Sequence, residues 1–327
     1  MVGTVRLNWT SAFKERCMST EMIWSRRRFL TSGVLGVAGA ATLPTVVVGS
    51  SLGQVALPVD VKIPITMCHG ITDRLTRDRF EHYLQIASEL GFSTINYDQL
   101  YLWLTGSGPL PERPLMIDVD HPVGSVFRDM FPLMREHGFT GNLFVNTGYF
   151  ESVCGSEQNQ VGQSVCATWD QIHKLMTSGW TIGAHTHTHP NLSELSLMDP
   201  TGEVLRAEME TNDELLEKYL GRRPDYFAFT GNRTGTTWSA VADIAAKERY
   251  KLGRLWIIGN ECEIDGKIER YADFVGAPGP DEADGGPPFV SRYITRHTPL
   301  FRVPSMELER LIYEPEAFRQ YLEGALG

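Results

Sequence analysis

The sequence predicts an α/β fold in which a parallel sheet is covered by helices. First, apolar runs of strand length alternate with amphipathic runs of helix length through most of the 327 residues. Second, His and Asp residues come directly after several apolar runs, where the active residues of such sheets lie. Third, the length fits one α/β barrel of about 250 residues after a leader, or two small domains. One large domain is the simpler interpretation.

The alternating pattern gives a definite order of elements. Apolar runs predict strands over residues 61–67, 92–96, 115–120, 142–146, 180–184, 226–229, 255–258 and 300–303. Helical spacing predicts helices over residues 76–90, 98–104, 126–136, 169–178, 204–220, 238–247 and 315–326. Gly, Pro and acidic residues predict a long loop over 276–288. His69, Asp120 and His185 stand at carboxyl ends of predicted strands, where active residues are expected.

Residues 1–54 are predicted to be a targeting segment and linker rather than part of the fold. Arg26 and Arg27 lie in a run of three arginines, and an uncharged apolar and small-residue stretch follows over 33–48. This is the pattern of a twin-arginine export signal. A membrane anchor is the alternative, but a span needs about 20 strongly apolar residues, and Pro44 interrupts this stretch. We therefore expect a periplasmic or secreted protein that uses the twin-arginine machinery and is not stably inserted in the membrane after processing.

The charge distribution limits the kinds of partner. The formal net charge is −10, and the six basic and two acidic side chains of residues 1–54 leave −14 for the rest. Nucleic acids and anionic membranes are unfavourable partners for such a chain, since no block of Lys and Arg remains to meet phosphates. A neutral or cationic substrate fits better.

Four cysteines lie beyond the leader. Cys154 and Cys166 flank a polar loop, and an oxidising compartment would allow them to pair. In the chain-entropy model, closing such a loop stabilises the fold by about 3 kcal/mol. Cys68 and Cys262 are predicted to be small buried side chains, and no Cys-x-x-Cys motif is present.

The stretch from Trp180 to Pro190 is the strongest candidate for a metal site. His185, His187 and His189 follow an apolar run at alternate positions, and Pro190 ends the run. In an extended chain, side chains at alternate positions leave the same side. Neutral imidazole is a common zinc ligand, so two or three of these rings are candidate ligands. A polar surface loop that is rich in histidine is the alternative.

Three motifs in order resemble those of the polysaccharide deacetylases of carbohydrate esterase family 4, also called the NodB homology domain. They are Pro64-Ile-Thr-Met-Cys-His-Gly70, His185-Thr-x-x-His189-Pro190 and Tyr226-Phe-Ala-Phe-Thr-Gly-Asn-Arg233, and the resemblance covers roughly residues 60 to 305. It implies a single-domain distorted (β/α)7 barrel over 55–327. It also implies metal-assisted hydrolysis of N-acetyl or O-acetyl groups on a cell-wall polysaccharide or exopolysaccharide.

The first catalytic motif departs from the family pattern, Thr-Phe-Asp-Asp-Gly. A register without gaps places Asp120 at the position of the general base and His121 at that of a metal ligand, with Pro122 in place of Gly. The resemblance then implies a divalent metal, zinc above all, held by His121, His185 and His189. A shifted register makes Asp118 the base and Asp120 the ligand, and His121 a solvent-facing loop residue.

The remaining roles are less closely matched. The family's late Leu-x-His motif, which supplies the general acid, has no clear counterpart; His297 is assigned by position, and His69 is the rival. Asn232 and Arg233 are candidates for substrate binding, and Arg233 is also a candidate for tuning the base. Trp180, Trp238 and Trp256 are each expected to line a sugar groove or to lie in the core.

Two other functions are compatible with the sequence. The altered first motif favours a barrel that binds glycan without hydrolysing it, and related folds include amidases that act on non-sugar amides. Metal content and acetate release separate these alternatives.

Overall fold

The computed structural model describes residues 61–154, 165–259, 261–271, 293–310 and 312–327. The predicted targeting segment and the predicted loop 276–288 lie outside these residues. In chain order the strands are β1 (Ile65–Cys68), β2 (Ser93–Thr94), β3 (Pro114–Asp120), β4 (Asn142–Val145), β5 (Thr181–Ala184), β6 (Tyr226–Ala228), β7 (Gly231–Asn232), β8 (Gly235–Trp238), β9 (Leu252–Ile257), β10 (Glu261–Ile264), β11 (Lys267–Arg270) and β12 (Val303–Glu307). The α-helices are α1 (Arg77–Glu89), α2 (Tyr97–Leu104), α3 (Phe131–Glu136), α4 (Trp169–Thr177), α5 (Leu192–Met198), α6 (Glu203–Leu220), α7 (Ala240–Lys247) and α8 (Pro315–Leu326).

Seven parallel strands close into a barrel. Their order is β1-β3-β4-β5-β6-β9-β12, and β12 pairs with β1 to complete the ring. Strand β2 extends the sheet beside β3. The predicted distorted (β/α)7 barrel is therefore confirmed. The carboxyl ends of all seven strands meet at one end of the barrel, where active sites of such folds lie.

Side-chain alternation divides each barrel strand between two environments. On β3, Met116 belongs to the inner cluster with Phe144, whereas Ile117 and Val119 pack outward under the helices. The period of two therefore places Asp118 and Asp120 on the inner side with Met116, and both carboxylates are buried. This direction brings charged groups into the top of the barrel.

The helices begin where the sequence provides caps. Thr76 accepts a hydrogen bond from the Arg79 amide before α1. Asn96 before α2 and Thr168 before α4 each form a reciprocal capping box with a glutamine three residues on. Caps of this kind satisfy amides that would otherwise lack partners, which fixes the start of each helix.

Several predicted boundaries were wrong, and two of them have a clear local cause. The strand predicted at 300–303 instead runs over Val303–Glu307, since Arg302 donates its amide to the Pro299 carbonyl in a turn at 2.9 Å. Pro304 within the strand obscures it in the sequence. The helix predicted from Trp238 begins at Ala240, because Trp238 ends β8 and the Ser239 side chain caps the helix.

Some elements were not predicted. Strands β7, β8, β10 and β11 form a separate four-stranded sheet whose short strands carry little periodic signal. Helix α5 follows the histidine-rich stretch directly. The predicted helix 126–136 is a π-helical turn, Val126–Met130, followed by α3.

The predicted disulfide between Cys154 and Cys166 is confirmed, with the two Cα atoms 5.9 Å apart. Cys68 and Cys262 are buried, as predicted. None of the helices in the described ranges is both long and apolar enough to span a bilayer.

Candidate metal centre and active site

Three histidines converge at the carboxyl ends of β3 and β5. His121 follows β3 directly, and His185 and His189 follow β5. One ring nitrogen of each residue lies within 4.8 Å of the other two. Three imidazoles at this spacing can occupy three corners of a tetrahedral metal site and leave a fourth open.

The backbone conformation brings these rings together. His121, Thr186 and His189 have positive φ angles of 64°, 59° and 60°, a region that non-glycine residues rarely adopt. The His189 amide donates to the Thr186 hydroxyl at 3.1 Å, which stabilises the turn between the two ligands. Strained backbone of this type often occurs at functional sites.

His187 lies outside the cluster, although it shares the alternation. Its Nδ1 lies 2.8 Å from the Thr147 hydroxyl, and its amide donates to Glu208. The extended chain ends at Thr186, so the period of two does not continue to His187. Two of the three alternate histidines therefore reach the site.

Hydrogen bonds at Nδ1 fix the orientation of the His121 and His185 rings. His121 Nδ1 lies 2.7 Å from Asn146 Oδ1, and His185 Nδ1 lies 2.9 Å from the Ala228 carbonyl. Since each oxygen accepts a hydrogen bond, both Nδ1 atoms carry the proton and both Nε2 atoms are available as ligands.

Electrostatics keeps the three rings neutral. Burial, with a further contribution from His189, lowers the pKa of His121 to about 4. Burial likewise lowers the pKa of His185 and of His189. Neutral imidazole is the form that binds metal ions, so this donor set fits a divalent ion.

Asp120 lies beside the triad and forms a buried ion pair with Arg254. Arg254 Nη2 donates to Asp120 Oδ1, and the other oxygen, Oδ2, lies 3.7 Å from His185 Nε2. Burial acts to raise the pKa of Asp120, but Arg254 and then His185 hold it well below the ordinary value. The carboxylate is therefore ionised at neutral pH, with one oxygen directed at the histidines.

Asp118 lies deeper in the barrel. It accepts hydrogen bonds from the Tyr97 hydroxyl at 2.7 Å and from Asn142 Nδ2 at 2.9 Å, and Arg254 Nε is 3.7 Å away. Burial raises the pKa of Asp118 to about 7. The metal-ligand cluster includes His121 but neither carboxylate. This geometry favours the register without gaps.

A pocket of about 580 Å³ opens over this site. It is lined by His69, Asp120, His121, His189, Gly231, Asn232, Arg233, Thr234, Trp256 and Arg310. The candidate base, two candidate ligands and both candidate substrate-binding residues therefore share one pocket.

His69 follows β1 directly and lies in the pocket wall. Its Nδ1 lies 2.9 Å from Glu309 Oε2, and its amide donates to Glu309 Oε1 at 3.1 Å. Burial acts to lower the pKa of His69, but the hydrogen bond and the negative charge of Glu309, together with the charges of Asp120 and Glu307, outweigh burial and raise the pKa. The ring stacks near His121, with centroids 5.6 Å apart.

Two assignments from the sequence need correction, and the structure decides between the two alternatives for the tryptophans. His297 is exposed and precedes β12, whose carboxyl end faces the pocket, so it lies toward the opposite end of the barrel from the site. The arginine that pairs with Asp120 is Arg254, whereas Arg233 is exposed on the pocket wall. Of the three tryptophans, Trp256 lines the pocket, whereas Trp180 and Trp238 are buried in the core.

The hairpin of β7 and β8 forms another wall. Asn232 donates to Glu263 Oε2 at 2.6 Å and accepts from the Thr234 amide at 2.9 Å. A Cβ atom on Gly231 would lie 2.1 Å from the Trp256 ring, so only glycine allows this close contact. Arg233 lies at the tip of this hairpin, between β7 and β8.

The fold and the pocket define a class of protein: a (β/α)7 barrel with a three-histidine centre next to a buried carboxylate. Residues 107–248 match the family model described as polysaccharide deacetylase.

Solved structures share the fold. The deacetylase PplD of Streptococcus pyogenes, in complex with acetate, is 19% identical with a TM-score of 0.56, covering 80% of this chain and 99% of that one. IcaB from Ammonifex degensii is 17% identical with a TM-score of 0.55, covering 82% of this chain and 98% of that one.

A relative was also found by sequence. An uncharacterized Bacillus subtilis protein, YlxY, is 28% identical over 120 residues, which are 37% of this chain and 30% of that protein.

Proposed function

We propose that this chain is an exported, zinc-dependent polysaccharide deacetylase that hydrolyses N-acetyl or O-acetyl groups of a cell-wall polysaccharide or exopolysaccharide. The observation that carries the proposal is the convergence of His121, His185 and His189 beside Asp120, at a pocket that His121, His189 and Asp120 line. The family match over 107–248 supports the class of substrate, and the acetate in the PplD complex is the expected product.

Asp120 is the proposed general base. A divalent ion bound by the three histidines supplies polarisation of the acyl carbonyl and a lowered pKa for water. Asp120 Oδ2 faces that centre, while Oδ1 is held by Arg254, so the free oxygen is placed to accept the proton of the attacking water. The Arg254 ion pair also fixes the carboxylate orientation.

His69 is the proposed general acid, in place of His297. Glu309 accepts from Nδ1, which leaves Nε2 for the proton that the leaving amine needs. The ring lines the same pocket as Asp120, so acid and base stand on two walls around the acyl group.

We expect His69→Gln to lower acetate release from an N-acetyl sugar by about 10²–10⁴-fold, since His69 is the proposed proton donor to the leaving amine. Zinc stoichiometry should stay unchanged. An aryl acetate, whose phenolate leaves without a proton, should be hydrolysed at nearly the wild-type rate. Equal losses on both substrates would contradict the role of His69. Glu309→Gln is the companion variant, with an expected loss of about 10- to 100-fold.

The β7–β8 hairpin is the proposed sugar-binding wall. Asn232, Arg233 and Trp256 present polar groups and an aromatic edge beside the catalytic residues. Aromatic rings with nearby hydrogen-bonding groups suit sugar rings, which have both apolar faces and hydroxyls.

The proposal is tested by measuring zinc content and acetate release on the purified protein. We expect about one zinc per chain and acetate from chitin oligomers, peptidoglycan fragments or poly-N-acetylglucosamine, and His185→Ala should lose both properties. Zinc with glycan binding but no acetate would favour a non-catalytic glycan-binding protein. Release of acid from non-sugar amides alone would favour an amidase.

The twin-arginine route and a periplasmic or secreted location complete the proposal. They rest on the arginine run and the uncharged stretch after it, which lie outside the described residues. The Cys154–Cys166 disulfide supports an oxidising compartment. Fractionation of expressing cells tests this location, and a protein found only in the cytoplasm would contradict it.

A further inference from the structure

The chain on the carboxyl side of His121 is held by the segment that contains Cys166. Val123 and Cys166 form an isolated antiparallel bridge. The Gly124 amide donates to the Val165 carbonyl, and the Ala167 amide donates to the Pro122 carbonyl, both at 2.8 Å. The peptide that leaves His121 is therefore tied to the residues around Cys166.

The ring of His121 is held by the segment that ends at Cys154. Tyr149 stacks on the His121 ring with centroids 5.2 Å apart and planes inclined by 14°. Asn146 accepts the bond from His121 Nδ1, and the Tyr149 amide donates to the Asn146 carbonyl at 3.2 Å. The Cys154 sulfur lies 3.4 Å from the Tyr149 carbonyl oxygen, at the end of the π-helical turn Phe150–Cys154.

The disulfide joins these two segments covalently and so closes a ring of contacts around His121. We propose that Cys154 and Cys166 are positioning residues for metal binding, because their bond holds His121 in place as a ligand. The inference rests on the proposed metal centre and adds a residue pair that determines its affinity.

The geometry makes this effect specific to one ligand. His121 has a positive φ of 64°, so its backbone conformation depends on restraint from its surroundings. His185 is held differently, by β5 and the Ala228 carbonyl, and His189 by the Thr186 hydroxyl. Loss of the disulfide should therefore loosen His121 and leave the other two ligands in place.

The test is the dissociation constant for Zn²⁺, measured by competition with a chromophoric chelator. Cys154→Ser with Cys166→Ser should weaken zinc binding by about 10- to 100-fold, the size expected when the support of a ligand is lost. Cys262→Ser, which removes another buried sulfur, is the control and should bind zinc as wild type does. In the His121→Ala background, the two cysteine substitutions should cause almost no further loss of zinc affinity.

The outcomes separate a role in positioning from a role in stability. Removing the disulfide also lowers Tm, so affinities are measured well below the Tm of every variant, which circular dichroism supplies. Tyr149→Leu leaves the disulfide intact and removes the stacked ring, and it should also weaken zinc binding in a folded protein.

Two results would overturn the inference but not the proposed function. One is unchanged zinc affinity in the cysteine variant. The other is a loss of zinc affinity in the His121→Ala background as large as the loss in the wild-type background. If the cysteine variant does not fold, wild-type affinity in Tyr149→Leu would overturn it. A wild-type protein that binds no zinc would overturn both the inference and the proposed function.

Discussion

Asp120→Asn is expected to retain zinc at near wild-type stoichiometry while acetate release falls by about 10²–10⁴-fold. Asparagine has nearly the same shape as aspartate but cannot accept the proton from water. Asp120 lies outside the cluster of ligand atoms formed by the three histidines, so the metal should remain bound. Metal analysis and an acetate assay on the same preparation measure the two properties together.

The matched variants distinguish the two registers of the first motif. His121→Ala should weaken zinc binding as well as activity, because it removes one of three protein ligands. Asp118→Asn should keep zinc and lose only about 10- to 100-fold in rate, the effect of an outer-shell partner. The shifted register makes the opposite prediction. Asp120→Asn would lose metal, and His121→Ala would leave zinc binding and acetate release almost unchanged.

Arg254→Met is expected to destabilise the fold by about 3–5 kcal/mol, the cost of leaving a buried charge without its partner. Arg254 is fully buried and is paired with Asp120, with Asp118 close by. Urea unfolding of the zinc-free protein measures the change in the free energy of unfolding.

Adding Asp120→Asn to Arg254→Met tests the cause of that loss. The second substitution removes the unpaired charge, so the double variant should be more stable than Arg254→Met alone. Arg206→Met is the control, since the Arg206–Glu248 pair is accessible to solvent and should contribute little to stability. A similar loss in Arg206→Met, or a less stable double variant, would contradict the explanation.

Local patterns in the sequence were sufficient to predict most of the strands and helices of the barrel. Buried apolar runs predicted strands wherever flanking polar residues ended them, as in β3 and β4. Thr76 and Thr168 stand at the starts of predicted helices and cap them in the structure. The polar loop between Cys154 and Cys166 predicted the disulfide. Each of these signals lies within a short stretch of chain, so it can be recognised without knowledge of the fold.

The histidine-rich stretch was predicted as a metal site, but the alternation alone did not select the ligands. His187 follows the same period as His185 and His189, yet it turns toward Thr147. The positive φ of Thr186 decides this, because it ends the extended conformation on which the period depends. A backbone angle of that kind is a property of the folded turn.

Errors at strand ends hid two residues of the candidate site. The strand predicted at 255–258 began one residue after Arg254, which in the structure lies within β9. The strand predicted at 300–303 ended before the carboxyl end of β12, so Glu309 was not placed beside His69. An error of a few residues in a strand end changes which side chains face the site.

The sequence by itself therefore determined the alternating strands and helices of the α/β fold, the disulfide and the histidine motif, which depend on local patterns, and the family resemblance implied the closed barrel. Only the tertiary structure decided that Arg254 pairs with Asp120, 134 positions earlier in the chain, and that Glu309 pairs with His69. The physical reason is the closure of the barrel. It brings the inner faces of β3 and β9 together and aligns the carboxyl ends of β1 and β12, and no local pattern of residues records contacts between segments so far apart.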